Sequence, residues 1–147
     1  MWENMKNKDI VIEELNTLLR GTYMGIRAFE HHIQKLDDPE LKQKFQTMQQ
    51  ETKQNAQRIA ERIQNLNGVP ADNEGISGRL HSSMHKMMLS NDTEEIMQDA
   101  LNGLEKYGVE YSEELVKGDL DPESRKIAED VIDTSRRHAE QLRNLNK

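Results

Sequence analysis

The 147-residue chain contains no cysteine, which removes a disulfide framework, a thiol nucleophile, a Cys-ligated zinc site and an iron–sulfur cluster. It also leaves the redox compartment unreadable. Apolar residues are scarce: Leu, Ile, Val and Phe number 31, about 21% of the chain, close to the level of about 20% at which a highly charged chain is suspected of disorder. No run approaches the roughly 18–20 apolar residues of a membrane span, and Met1 to Leu15 carries scattered acids instead of a signal-peptide core. A soluble, cytoplasmic chain with no membrane partner is expected. Basic charge is also in short supply. With 27 acids against 20 Lys and Arg the net charge is −7, which disfavours a general phosphate-binding or nucleic-acid-binding role. At this length one domain is expected, covering 1–147.

The pattern of the apolar residues argues for order. Leu15, Leu18, Leu19, Ile26, Phe29, Ile33 and Leu36 recur at three-and-four spacing, interrupted by the polar Thr22. Asp37-Asp38-Pro39-Glu40 then supplies a stop and a start, and a second stripe follows through Leu41, Phe45, Met48, Ala56, Ile59, Ile63 and Leu66. Gly68 stands where a left-handed cap would sit. A turn this short makes the two helices an antiparallel hairpin. Pro70, Asn73, Gly75 and Ser77 mark a loop. Ile76, Leu80, Met84 and Met87 or Met88 suggest a short extra helix, and Asp92 with Glu95 is placed for a capping box. Asp121-Pro122-Glu123 repeats the earlier start signal. Helices are predicted over about 8–36, 39–67, 76–89, 93–117 and 122–146, with no strand.

The two Asp-Pro-Glu signals give an internal offset of 83 residues, which matches Leu18 to Leu101, Gly25 to Gly108, Glu30 to Glu113 and Ala56 to Ala139. The chain therefore reads as two related hairpins. Their connection is long enough to cross the bundle end to end, leaving the second and fourth predicted helices parallel. Counting from each turn, Thr22, Thr52, Asn55, Glu105, Ser135 and His138 share one level of the bundle.

A carboxylate on one helix and a Glu-x-x-His pair on its partner, given twice, is the ligand set of ferritin-like di-iron proteins. The chain resembles that superfamily from about Leu15 to Leu145, most of all the rubrerythrin-like bundles and a bacterial ferritin-like family of unassigned function. The resemblance implies an all-α, ferritin-like four-helix bundle: two helical hairpins joined by a long crossover that contains a short extra helix. It also implies a degenerate site. The first helix's carboxylate becomes Thr22, the Glu-x-x-His pairs become Thr52-x-x-Asn55 and Ser135-x-x-His138, and only Glu105 and His138 of the pattern remain. Hydroxyls and an amide are poor iron ligands, so no cofactor is expected. Glu105 and His138 are expected to hydrogen-bond one another and the nearby hydroxyls.

Other groups invite weaker readings. His81 and His85 stand at i and i+4 and could chelate a metal, but as two ligands alone they read as a polar rim beside Met residues that fill the groove under the crossover. Glu30, His31 and His32 read as ordinary solvated groups, with Lys35 in reach of His31. Tyr23, Tyr107 and Tyr111 read as core rings, and Gly25 and Gly108 as packing glycines that bring the first helix close to the one carrying Gly108. The acidic residues of the second half read as a solvated face. No phosphate cradle or catalytic triad is present. The first expectation is thus a non-enzymatic structural or protein-interaction module, self-associating into a homo-oligomer, with stress or spore association suggested by the resemblance alone. The second is an iron- or zinc-binding oxidoreductase or storage protein using Glu105 and His138. The third is a small-molecule binder that uses the vacated polar layer.

Overall fold

Asp38 opens the second helix with its side chain, whose Oδ1 accepts from the Glu40 and Leu41 amides at 2.9 and 3.4 Å, while Pro39 occupies the first turn, where its missing N–H costs nothing. Asp121 does the same for the last helix, accepting from the Ser124 amide at 3.2 Å. A computed structural model describes residues 2–145, and every regular element among them is helical. In chain order these are α1 (Trp2–Lys35), α2 (Pro39–Asn65), α3 (Gly75–Met88), α4 (Thr93–Gly103), a π-helical segment (Leu104–Tyr111), α5 (Ser112–Val116) and α6 (Pro122–Leu145). The α4, π and α5 segments continue into one another as a single rod. α1 starts at Trp2, ahead of the expected residue 8, and the expected end of the last helix at residue 146 lies outside the described residues.

The end of α2 differs from expectation in a small way. Asn67, not Gly68, takes the left-handed conformation, with φ of 65°. The Gly68 amide reaches the Ile63 carbonyl at 2.9 Å and the Asn67 amide reaches the Gln64 carbonyl at 2.9 Å, the paired bonds of a Schellman end. Gly68 is required for another reason: a Cβ there would lie 2.8 Å from Ile12 Cγ2 and 3.0 Å from Ile63 Cγ2. At α4 the Asp92 carboxylate accepts from the Glu95 amide at 3.1 Å, but the reciprocal half of the capping box is supplied by Ser90, whose hydroxyl accepts from the Asp92 amide.

Contacts between helices establish the topology. Arg62, Arg58 and Glu51 of α2 meet Asp121 just before α6 and Asp130 and Arg137 within it, in turn, so these helices are antiparallel. Arg136 and Arg143 of α6 meet Glu113 and Glu105, so α6 and the 93–116 rod are antiparallel too. α2 and that rod are therefore parallel, which requires the chain to traverse the bundle between them. It does so along α1. Asn16 holds the Val69 carbonyl and the Ala71 amide at 3.1 and 2.7 Å, His31 meets His85, and Lys35 donates to the Leu89 carbonyl. This is a four-helix bundle of two hairpins with one crossover.

The core is divided. One buried cluster, around Phe29, Phe45, Met48, Ile96, Met97 and Leu142, fills the end near residues 36–41. A second, around Leu15, Leu19, Ile59, Ile63, Ala128 and Val131, fills the opposite end. Burying a side chain of this size stabilises by about 1.5–3 kcal/mol before entropy is counted. Between the clusters lie Thr22, Thr52, Asn55 and Ser135. The crossover helix contributes almost nothing to either: only Gly78 of α3 is buried. Ile76, Leu80 and Met87 point outward, with Met87 84% exposed, while Met84 and Met88 are also exposed but border a cavity beside α1. This corrects the expectation that the methionines fill the groove, because α3 docks on α1 through its glycine and histidine face.

Candidate functional site

In each hairpin a glycine faces the helix that pairs with its own. A Cβ on Gly25 would lie 3.9 Å from Thr52 Cγ2, and one on Gly108 would lie 2.7 Å from Ser135 Oγ. These two contacts are related by the 83-residue offset. They correct the expected approach of α1 to the rod carrying Gly108, since each close contact is made within a hairpin. Around them a cavity of about 860 Å³ opens between α1, α3 and the 93–116 rod, and Thr22, Thr52, Asn55 and Ser135 all line it. The buried Thr22 and half-buried Thr52 are internally satisfied: Thr22 Oγ1 donates to the Leu18 carbonyl and Thr52 Oγ1 to the Met48 carbonyl, each at 2.8 Å. Most of the remaining lining is apolar, from side chains such as Leu18, Met24, Ala28 and Leu104.

The other two residues expected at this level lie elsewhere. Glu105 is on the outer surface and binds Arg143. It stands nine residues, about two and a half turns, from the buried Ile96, and so faces away from the seam. Counting from the turn gives a residue's height along the bundle but not its direction. His138 is buried, 1% exposed, and packs edge-on against Phe29 with ring centroids 6.0 Å apart. Its Nε2 pairs with Glu51 Oε1 at 3.2 Å, and Arg137 holds the other Glu51 oxygen at 2.8 Å. The expected bond between Glu105 and His138 is absent. Burial holds the His138 pKa below its ordinary value, with Glu51 opposing.

These residues do not fit a di-iron centre. The layer offers hydroxyls and an amide, which cannot bridge and neutralise two iron ions, and the imidazole expected to complete it, His138, is already engaged by Glu51 of α2. No step through such a centre follows.

A second polar cluster forms where α1, α3 and α4 meet, at the end of the same cavity. His32 Nε2 lies 2.7 Å from Asp99 Oδ2, and His85 Nε2 lies 2.5 Å from the same oxygen. His85 Nδ1 faces His31 Nδ1 at 2.9 Å, so one of these nitrogens donates and the other accepts. His31 and His32 are buried, which corrects the solvated reading. Burial, reinforced by the nearby charges of His85, His32, Lys86 and Arg27, brings the His31 pKa down to about 4. Burial alone would raise Asp99, but hydrogen bonds from the two imidazoles outweigh it and hold the carboxyl well below the usual carboxylate range. His32 Nδ1 is buried with no partner. Glu30 is turned away, taken by Gln49 and Gln34 at 3.2 Å each.

His81 does not join His85. It is exposed and packs edge-on against Tyr107, with centroids 5.6 Å apart. Tyr107 and Tyr111 are 42% and 46% exposed and line the cavity mouth, not the core, while Tyr23 is half-buried at the edge of the second cluster. The π segment beside them was missed from the sequence. π segments cluster at functional sites, and this one carries Gly108 and both cavity tyrosines.

No helix among the described residues is long and apolar enough to cross a membrane. No curated protein matches the chain. A solved structure does share the fold, that of a dodecameric thioferritin, the bacterioferritin-related protein from Bacteroides fragilis. It is 16% identical, with a TM-score of 0.70, over 93% of this chain and 84% of that one. The bundle is thus ferritin-like, and the match of residues 10–119 to the family described as a domain of unknown function (DUF2383) makes this chain a member of that family.

Proposed function

We propose that this protein is a ferritin-like bundle that binds a small, largely apolar molecule at the level where di-iron proteins of this fold carry their ligands. The supporting observation is the cavity of about 860 Å³ lined by Thr22, Thr52, Asn55 and Ser135, within the range of about 300–1,000 Å³ typical of small-molecule pockets. The cavity favours this third expectation over a purely structural module, for which a closed, dry layer would be the natural form. Thr22 and Thr52 are satisfied by their own helices, so the guest needs few polar groups. Ser135, Asn55 and the tyrosines at the mouth are available to orient it.

Gly21 and Gly103 give the test, because both line the cavity and a Cβ at either meets nothing within 4 Å. Nile red, a neutral dye, should bind the wild-type chain saturably, and Gly21→Leu with Gly103→Leu should weaken that binding. Absence of saturable binding, or binding unchanged in the filled variant, would overturn the proposal.

A second reading, self-association, is supported by the outward apolar face of α3 and by the dodecameric state of the Bacteroides fragilis protein. Light scattering of Met87→Lys/Leu80→Lys against the wild type tests it. A smaller assembly in the variant supports self-association through α3, and an unchanged mass counts against it.

A further inference from the structure

We propose that His32, His85 and Asp99 bind one divalent transition-metal ion of the zinc class at the junction of α1, α3 and α4. This site is separate from the level where a di-iron centre would sit, and it uses the crossover helix.

The geometry carries the proposal. Three different helices, α1, α3 and α4, each deliver one ligand-type atom, and these atoms all lie within 4.8 Å of one another. Two imidazole nitrogens converge on a single carboxylate oxygen at 2.7 and 2.5 Å. A tetrahedral ion bound at about 2.0–2.2 Å needs its ligand atoms roughly 3.3–3.6 Å apart, so each of these two nitrogen–oxygen distances must lengthen by only about 1 Å or less to admit one. His85 and Asp99 are only half-buried and have the freedom to do so. His32 is fixed, at 2% exposure, between the rings of Phe29 and Phe45.

The chemistry fits the same class. Two imidazoles and one carboxylate suit a borderline dication, and three protein ligands leave a fourth position for water or a guest. That position opens on the cavity, which all three side chains line. The contact from His31 Nδ1 to His85 Nδ1 at 2.9 Å is the outer hydrogen bond that metal-bound histidines usually have: with His31 as acceptor, the His85 proton sits on Nδ1 and frees Nε2 for the ion. His32 needs the same tautomer, which its unpartnered Nδ1 leaves open to it. Both histidines bind as neutral imidazoles, so their protons move from Nε2 to Nδ1, and the His31 proton moves from Nδ1 to Nε2 so that its Nδ1 becomes the acceptor for His85. With a single carboxylate the bound site carries one net positive charge, which favours hydroxide or an anionic group of a guest at the fourth position.

Chelator-stripped protein titrated with Zn(II), and with Co(II) as a spectroscopic probe, tests this. One equivalent per chain is expected by elemental analysis after desalting, with visible Co(II) bands of a four- or five-coordinate nitrogen–oxygen site and a raised melting temperature. Asp99→Asn, which preserves shape, and His85→Ala, on the half-buried crossover, should each weaken uptake at least about tenfold while retaining the helical spectrum. His81→Ala should leave it unchanged. The proposal is overturned if the wild type takes up no stoichiometric metal, if uptake persists in both Asp99→Asn and His85→Ala, or if His81→Ala or His138→Ala abolishes it instead.

Discussion

Alanine at the two offset-related glycines should shift stability in opposite directions. At Gly25 a Cβ would rest 3.9 Å from Thr52 Cγ2, an ordinary contact, so Gly25→Ala should gain most of the helix-propensity difference of about 0.8–1 kcal/mol. At Gly108 the new Cβ would lie 2.7 Å from Ser135 Oγ and 2.9 Å from Ser135 Cβ. The hydroxyl can rotate away but the Cβ cannot, so the rod must move off α6. Overpacking of this kind costs about 1–3 kcal/mol, which exceeds or cancels the propensity gain. The two variants should therefore differ by about 1–3 kcal/mol, several degrees in a domain of this size. Urea unfolding followed by far-UV circular dichroism measures it. Ser135→Gly removes both clashing atoms, so Gly108→Ala made in that background should lose its penalty and give a coupling of about 1–3 kcal/mol. Equal shifts at Gly25 and Gly108, or a Gly108→Ala penalty that Ser135→Gly fails to relieve, would refute this account of how the hairpins pack.

Arg62, with a side chain 13% exposed, ties the end of α2 to the start of α6 through Asp121 at 2.8 Å, Glu123 at 2.9 Å and Ser124 at 3.0 Å. Discounted for the partial exposure of both acids, Arg62→Ala should cost about 1–3 kcal/mol in urea unfolding, and Arg62→Lys should restore less than half because it lacks the planar fork. His138 should make stability depend on pH. Burial, aided by the Arg137 charge and only partly opposed by Glu51, keeps its folded pKa below 6.5, so its contribution is fully present above pH 6.5. It is lost as pH falls from there through the folded value, because the unfolded chain takes up a proton that the native state resists. His138→Gln should flatten, but not abolish, the melting-temperature profile below pH 6.5, since His31 and His32 shift in the same direction. An unchanged slope would count against a neutral buried His138.

Periodicity along single helices was legible, and relations across the crossover were not. The stripes, the Asp38 and Asp121 starts and the polar interruption at Thr22, Thr52, Asn55 and Ser135 are all local patterns whose height along the bundle follows from residue counts. Glu105 shares the height of the layer but, two and a half turns from Ile96, not its direction, and residue counts carry no rotation. His32 is legible as buried, since it sits three residues after Phe29 and four before Leu36 on the apolar seam. Its partners are not. His85 and Asp99 lie 53 and 67 residues away, and their meeting depends on which face of α3 turns inward. The composition of α3 misleads on that point, because its larger apolar residues face out. The π segment has no simple sequence mark, and its effect is visible only in the geometry at Gly108.

The divided core has an architectural consequence. Each half draws side chains from all four long rods, so apolar packing holds the bundle together from its two ends. The π segment, whose turns are wider than those of an α-helix, runs past the level between them. The four rods are therefore held in place without that level being filled, and this is what leaves room for a guest there.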